Sequence, residues 1–370
     1  MQLSKCPFAA REIMSLTKRS AFTLVEILVS ISIIGLLVAL LLPAIGAARE
    51  AARRLDCSNR LRQIGIAMSN YESAYRKLPA MRLGNASANG PYARTSGLVM
   101  ILPFIEQSAL FERMQNSIVN GHASSRSASP IMYCPLPGSN GASGQEIKPW
   151  LDKLSLFRCP SDPKTELDEE MGYCNYVFSV GDTIVDNANQ ATRGLFESGR
   201  FRRLSDIADG LSNTIAMSEV RVDAKMFEWM SDSELLMPCR YSERSRCTTS
   251  VLLNSPPAQP AFFGRGRRWV DGAPIYTAFN TILPPGDASA NHRNDSDLTY
   301  GNFAAGSYHT EGVNCLMGDS SIRFISSSIH CGDLSMIAPT ADTGVGSPYG
   351  VWGQLGTRSC GEVMDRSQLD

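Results

Sequence analysis

One acidic side chain stands inside an apolar segment of membrane length. Residues 24–48 read LVEILVSISIIGLLVALLLPAIGAA, and Glu26 is their single charge. An acidic residue at the bilayer centre costs on the order of 3 kcal/mol on insertion scales. Either the Glu26 carboxylate reaches the headgroups at the membrane edge, or it pairs with a cation. A cut after Ala21 would create that cation, the α-amino group of Phe22 in the same or a neighbouring chain, and pairing would offset much of the desolvation cost.

His309 and Asp319 are the residues that could act together as an acid–base pair. However, residues 313–317 and 321–325 flank Gly318-Asp319-Ser320, which predicts a hairpin. If strand pairing extends to residue 309, the two side chains lie about 30 Å apart at roughly 3.3 Å per residue. Asp319 is therefore predicted to be a turn residue and His309 a structural or rim residue. The sequence has no nucleophile elbow, HExxH, P-loop or dinucleotide fingerprint, so no enzyme is predicted.

An oxygen-rich stretch follows residue 286. Its acidic and amide residues are Asp287, Asn291, Asn294, Asp295 and Asp297. Oxygen ligands of this kind suit calcium, but the spacing matches no EF-hand loop. We interpret the stretch as a solvated loop and therefore expect no cofactor. Calcium is the one candidate metal that the stretch suggests.

The apolar segment is long enough for a membrane helix, because a bilayer core of about 30 Å needs roughly 20 residues. A signal-peptide core has only about 7–15. The span is predicted over about residues 24–45, and Pro43 should bend it. Beyond it, apolar residues recur at helical spacing up to Pro79, which predicts a helix over residues 22–78 with one buried face. That face consists of Cys57, Leu61, Ile64, Met68, Tyr71 and Tyr75.

The remainder, residues 79–370, is turn-rich with short apolar runs. Residues 102–114 are predicted to form a helix, and residues 175–180 and 214–220 to form strands. The fold class is therefore α+β: a long N-terminal transmembrane helix runs into a soluble domain built on an antiparallel sheet with long loops.

Cysteine content and charge limit the function further. Of ten cysteines, nine follow residue 21, and an extracytoplasmic location would permit disulfides. Cys57, Cys159 and Cys174 are candidate disulfide residues, although spacing does not determine connectivity. The net charge of −1 includes no basic surplus, so nucleic acid is not an expected partner.

The stretch Ala21-Phe22-Thr23-Leu24-Val25-Glu26 resembles the processing site of type IV pilins and type II secretion pseudopilins. The resemblance implies a leader over residues 1–21, with cleavage before Phe22 and methylation of Phe22 by a prepilin peptidase. It also implies a register role for Glu26 and places Pro43 where pilin helices commonly carry a proline. Ala21 stands where these proteins usually have glycine. The leader would face the cytoplasm, and residues 79–370 would form an extracytoplasmic, β-rich domain.

Later segments are similar to a large bacterial family of unknown function with prepilin-type N-termini. These segments are CSNRLRQIG at residues 57–65, CPSDP at 159–163, DGLSNT at 209–214 and GTRSCGEV at 356–363. That family ends in a module named for His, nine residues, then Asp-Gly. Here His309 and Asp319 keep the spacing, while Ser320 replaces the glycine.

The resemblance implies a structural subunit of a surface filament or a type II secretion-like apparatus. Its expected partners are the prepilin peptidase, copies of itself or other pilin-like subunits, and the lipid bilayer. Its expected location is the cytoplasmic membrane of a bacterium, with a single span. The alternative is a membrane-anchored binding module that uses the signal only for export and binds a ligand or glycan through residues 231–300. An extracytoplasmic enzyme is the third and weakest hypothesis.

Overall fold

The computed structural model forms two compact units, Met1–Ala51 and Ala52–Asp370. It describes residues 23–84, 95–121, 152–163, 172–183, 191–222, 226–229, 264–287, 289–292, 301–334, 336, 338–339 and 344–361. The first helix, α1, spans Leu24–Tyr75 and contains Pro43. The predicted long helix is thus confirmed, and residues of α1 fall in both units.

In the first unit, α1 exposes its apolar side chains on all sides. Every large aliphatic side chain from Leu24 to Ile45 is between 46% and 76% exposed. Of the helices in the described part of the chain, α1 is the one whose length and apolar composition suffice to cross a membrane. A helix that is apolar all round needs an apolar environment, and no side chain of the described first unit provides it.

In the second unit, α1 buries the predicted face, with one exception. Cys57, Leu61, Ile64, Met68 and Tyr71 are buried, whereas Tyr75 is 57% exposed. The prediction was wrong for Tyr75 because the ring lies at the edge of the core. Its ring centroid is 4.6 Å from that of Tyr71 and 6.4 Å from that of Phe104.

The strands of the second unit form two sheets. Their bounds are β1 Tyr176–Ser179, β2 Ile215–Glu219, β3 Met226–Trp229, β4 Ala278–Phe279, β5 Ser289–His292, β6 Gly301–Asn302, β7 Gly312–Met317 and β8 Ile322–Ser326. The larger sheet has the order β4-β1-β2-β7-β8 and the smaller one β3-β5-β6. The larger sheet is antiparallel except where β4 pairs with β1, and β3 pairs with β5 in parallel. The α+β class is confirmed, with mixed rather than purely antiparallel sheets.

Short helices complete the described fold. They are α2 Gly97–Met100, α3 Ser108–Gly121, α4 Pro274–Thr277 and α5 Gly350–Gly356, with 3₁₀ turns at Leu102–Ile105, Ser155–Phe157 and Leu204–Asp206. The predicted helix over residues 102–114 is therefore split into a 3₁₀ turn and α3. The break lies at Glu106, which adopts a left-handed conformation with φ 62°.

Alternate residues of the central strands pack on opposite faces of the larger sheet. Tyr176 and Phe178 share a core with the buried face of α1, whereas Val177, between them, packs with Trp352 of α5. Successive side chains of a strand point to opposite faces, so both faces of this sheet are buried. Leu316 of β7 also contacts α1, because a Cβ on Gly65 would lie 2.7 Å from its Cδ1 atom. A larger residue at position 65 would therefore have to displace the Leu316 side chain.

Candidate functional site

The acidic residue of the apolar helix forms a capping box at the start of α1. The Thr23 hydroxyl accepts the Glu26 N–H at 3.3 Å, and Glu26 Oε2 accepts the Thr23 N–H at 2.8 Å and the Thr23 hydroxyl at 2.9 Å. This reciprocal pairing satisfies donors that a helix N-terminus otherwise leaves without partners. The sequence carries the signal for this cap, Thr-x-x-Glu before an apolar run, although the cap was not among the predictions.

The other polar side chains early in the apolar helix are also bonded within it. The hydroxyls of Ser30 and Ser32 donate to the carbonyl oxygens of Glu26 and Leu28, both at 2.7 Å. Such bonds to the preceding turn let hydroxyl groups reside in an apolar medium at little cost. Ala21 and Phe22 lie outside the described residues, so the cut and the pairing of Glu26 with the Phe22 amine stay predictions.

A disulfide joins α1 to the segment that precedes β1. Cys57 and Cys159 are bonded, their Cα atoms are 5.0 Å apart, and 102 residues separate them in sequence. The third candidate, Cys174, is not part of this bridge. Its Sγ donates to the carbonyl oxygen of Tyr176 at 3.1 Å. Complete burial raises the pKa of the Cys174 thiol to about 12, so this thiol stays protonated at physiological pH.

His309 lies beside this disulfide, in the core of the second unit. Its Nε2 atom is 3.5 Å from Glu219 Oε1 and 3.7 Å from Cys159 Sγ. The strand β7 begins at Gly312, so the hairpin ladder does not extend to His309. The assumption that strand pairing extends to residue 309, which placed His309 far from Asp319, is therefore wrong. His309 is a core residue rather than a rim residue.

Glu219, which was not among the predicted site residues, is held in place by β7. Its Oε2 accepts the backbone N–H of Asn314 at 2.9 Å, and its Oε1 accepts the Asn314 side-chain amide at 3.0 Å. The ligand atoms of Cys57, Cys159, Glu219 and His309 all lie within 4.8 Å of one another, and all four residues are buried. Below, these four residues are called the buried cluster.

Asp319 lies in the turn between β7 and β8. Its Oδ1 accepts the backbone N–H of Ser321 at 2.9 Å and the Ser321 hydroxyl at 2.6 Å. The next residue, Ser320, has φ 65°, a conformation that favours glycine. Glycine at position 320 would adopt this conformation without strain. In this chain the Ser320 hydroxyl bonds the Ser69 hydroxyl at 2.9 Å and the Gly65 carbonyl at 3.4 Å, which links the turn to α1.

Ser320→Val should destabilise the second unit. A β-branched side chain at positive φ is strained by about 1–3 kcal/mol. We expect Ser320→Gly to stay within about 1 kcal/mol of the wild type, since relief of strain offsets the lost hydroxyl bond. Chemical unfolding measures both, with Ser327→Val at an exposed position as the control. Equal stability of the Ser320→Val and Ser327→Val variants would contradict the assigned backbone strain.

Two other segments that resemble the family, residues 209–214 and 356–363, are hydrogen-bonded to each other in the structure. The carboxylate of Asp209 accepts the backbone N–H groups of Cys360 at 2.9 Å and Gly361 at 2.7 Å. Asp162 accepts the Asn175 side-chain amide at 2.6 Å and the Val222 N–H at 3.3 Å. These carboxylates bind backbone and amide groups of the same domain, so they serve the fold.

The candidate calcium stretch is only partly described. Asp287 is described, and Asn291 belongs to β5, but its side chain is not described. Asn294, Asp295 and Asp297 lie outside the described residues. Calcium binding there stays a candidate without structural support.

Comparison with known proteins identifies two regions. A family model described as "Protein of unknown function (DUF1559)" matches residues 46–332. A model described as "Prokaryotic N-terminal methylation motif" matches residues 16–42. No curated protein and no solved structure matches the chain. The first region contains the whole buried cluster, and the second contains Ala21, Phe22 and Glu26.

Proposed function

Because the chain belongs to the DUF1559 family of proteins of unknown function and carries a prepilin-type signal, we propose that it is a structural subunit of a surface filament or a type II secretion-like apparatus. The signal supports pilin-like export and membrane anchoring in general. It also implies processing by a prepilin peptidase. What we propose is the more specific role, that of a pilin-like or pseudopilin-like subunit.

The exposed apolar surface of α1 is the observation that carries the proposal. Its aliphatic side chains from Leu24 to Ile45 need a hydrocarbon environment. Lipid supplies that environment to a single subunit. Packed helices of neighbouring subunits would supply it within a filament.

Glu26 would set the axial register of those helices. A carboxylate has two oxygens with about four acceptor positions. The capping bonds to Thr23 use Oε2. The carboxylate can therefore keep its cap and also accept the α-ammonium group of Phe22 from a neighbouring subunit. Partners would thus be copies of this chain or other pilin-like subunits.

The proposed topology places the leader, residues 1–21, in the cytoplasm and residues 79–370 outside the cytoplasmic membrane. The Cys57–Cys159 disulfide supports this location, because disulfides persist in oxidising compartments and are rare in the cytosol.

Chemical crosslinking in intact membranes tests assembly. A subunit of a filament should give a ladder of multimers in membranes, whereas the same crosslinking carried out after detergent solubilisation should give the monomer. A monomer under both conditions would contradict the proposal. It would instead favour an anchored binding module that uses the signal only for export.

A further inference from the structure

We propose that the buried cluster binds one zinc ion when the Cys57–Cys159 disulfide is reduced. Two thiolates, one imidazole and one carboxylate would then form a closed, four-ligand site. A zinc site was not predicted from the sequence, because the chain has no CxxC motif. The four ligands instead come from distant parts of the second unit and converge only through the fold.

The distances between the ligand atoms suit tetrahedral coordination. Zinc–ligand bonds of about 2.0–2.3 Å at tetrahedral angles place neighbouring ligand atoms about 3.3–3.8 Å apart. His309 Nε2 is 3.5 Å from Glu219 Oε1 and 3.7 Å from Cys159 Sγ. Reduction would release Cys57 Sγ from Cys159 Sγ, and side-chain rotation can then separate the two sulfurs to such a distance.

The surrounding structure holds the ligands in place. Cys57 lies on α1, and its backbone carbonyl oxygen accepts a hydrogen bond from the Tyr176 hydroxyl at 3.0 Å. Glu219 is fixed at the end of β2 by the two bonds from Asn314. Groups that orient metal ligands in this way typically change metal affinity by about 10–100-fold when removed. Two of the four ligands, Cys57 and Glu219, are therefore preorganised on rigid elements.

The ligand types select the metal. Thiolate and imidazole ligands suit zinc, whereas calcium and magnesium prefer sites made of oxygen ligands. All four ligands come from the protein and all are buried, which corresponds to structural rather than catalytic zinc.

The reaction balances in two steps. A dithiol reductant gives two electrons and two protons to the Cys57–Cys159 bond, which opens to two thiols while the reductant becomes a disulfide. Zinc then displaces the two thiol protons into solvent, because thiolates are the ligands. The same residues would thus hold α1 to the segment before β1 in both redox states.

Metal titration of the full-length protein in detergent tests the site. One sample is oxidised, and the other is reduced with a phosphine, which takes its oxygen from water and leaves no competing thiol. Cobalt(II) is the probe, because cobalt–thiolate bonds absorb through charge transfer. We expect the reduced protein to bind one cobalt at this site with that absorption, and zinc to displace it. The oxidised protein should show no such absorption.

Variants assign the binding to these residues. His309→Gln and Glu219→Gln should each weaken cobalt binding at least about tenfold, and intact Cys57–Cys159 pairing in their oxidised forms shows that they fold. Cys331→Ser is the control that should bind normally. Equal binding by a Cys57→Ser, Cys159→Ser double variant would assign the metal to other cysteines and overturn the proposal. Absence of thiolate absorption in the reduced protein would also overturn the proposal. The same conclusion holds if reduction unfolds the protein and zinc does not restore its tryptophan fluorescence.

Discussion

Glu26→Ala is expected to leave membrane insertion intact and to abolish assembly. Removal of a carboxylate from the apolar segment makes insertion more favourable. In an assembly, however, the Phe22 ammonium of the neighbour would lose its partner. An unpaired buried charge costs about 3–5 kcal/mol, which corresponds to a loss of more than about 100-fold in the association constant per contact. The crosslinking ladder should disappear while the protein stays in the membrane fraction.

Glu26→Gln separates the charge from the cap. A glutamine side chain can still accept the Thr23 N–H, so the capping box survives while the negative charge is lost. If the charge sets the register, the Glu26→Gln variant should fail to assemble as the Glu26→Ala variant does. Normal assembly of the Glu26→Gln variant alone would show that Glu26 acts only through its capping bonds. Normal assembly of both variants would show that Glu26 has no role in assembly.

Loss of the Cys57–Cys159 bridge is expected to be the largest single destabilisation of the second unit. The bridge closes a loop of about a hundred residues, and a loop of that length corresponds to about 4.7 kcal/mol in the chain-entropy model. We expect Cys57→Ala to lower the free energy of unfolding by about 2–5 kcal/mol, since measured values often fall below that model. Guanidinium unfolding in detergent, followed through the buried Trp269 and Trp352, measures the change.

A double-mutant cycle distinguishes the bridge from ordinary packing. Cys57→Ala and Cys159→Ala each remove the same covalent bond. The double variant should therefore be about as stable as either single variant, and the two single effects should not add. Additive effects in oxidised protein would show that the two side chains contribute only through packing.

Local periodicity predicted much of the fold. The uninterrupted apolar run and the stripe from Cys57 to Tyr71 identified α1. Short apolar runs beside turn residues identified β1, β2 and the hairpin of β7 and β8. Each of these signals lies within a few residues of the element it specifies. The exposure of Tyr75 could not be predicted in this way, because it depends on where Phe104, which belongs to a separate segment, packs against the Tyr75 ring.

The buried cluster required information that periodicity does not contain. Glu219 lies near Cys159 and His309 only because β2 pairs with β7 and α1 packs across the same sheet. A glutamate at the end of a predicted strand carries no sign of its partners, which lie tens of residues away. The Asp319 turn was predictable because an aspartate between a glycine and a serine acts on its immediate neighbours.

The mature N-terminus of the protein isolated from membranes tests the prepilin interpretation most directly. Mass spectrometry of the N-terminal peptide reports both the first residue and its methylation. The proposed function predicts a chain that begins at Phe22 with a methylated α-amino group, next to the capping box that contains Glu26. An intact leader, residues 1–21, would contradict it and leave the apolar segment as a plain membrane anchor.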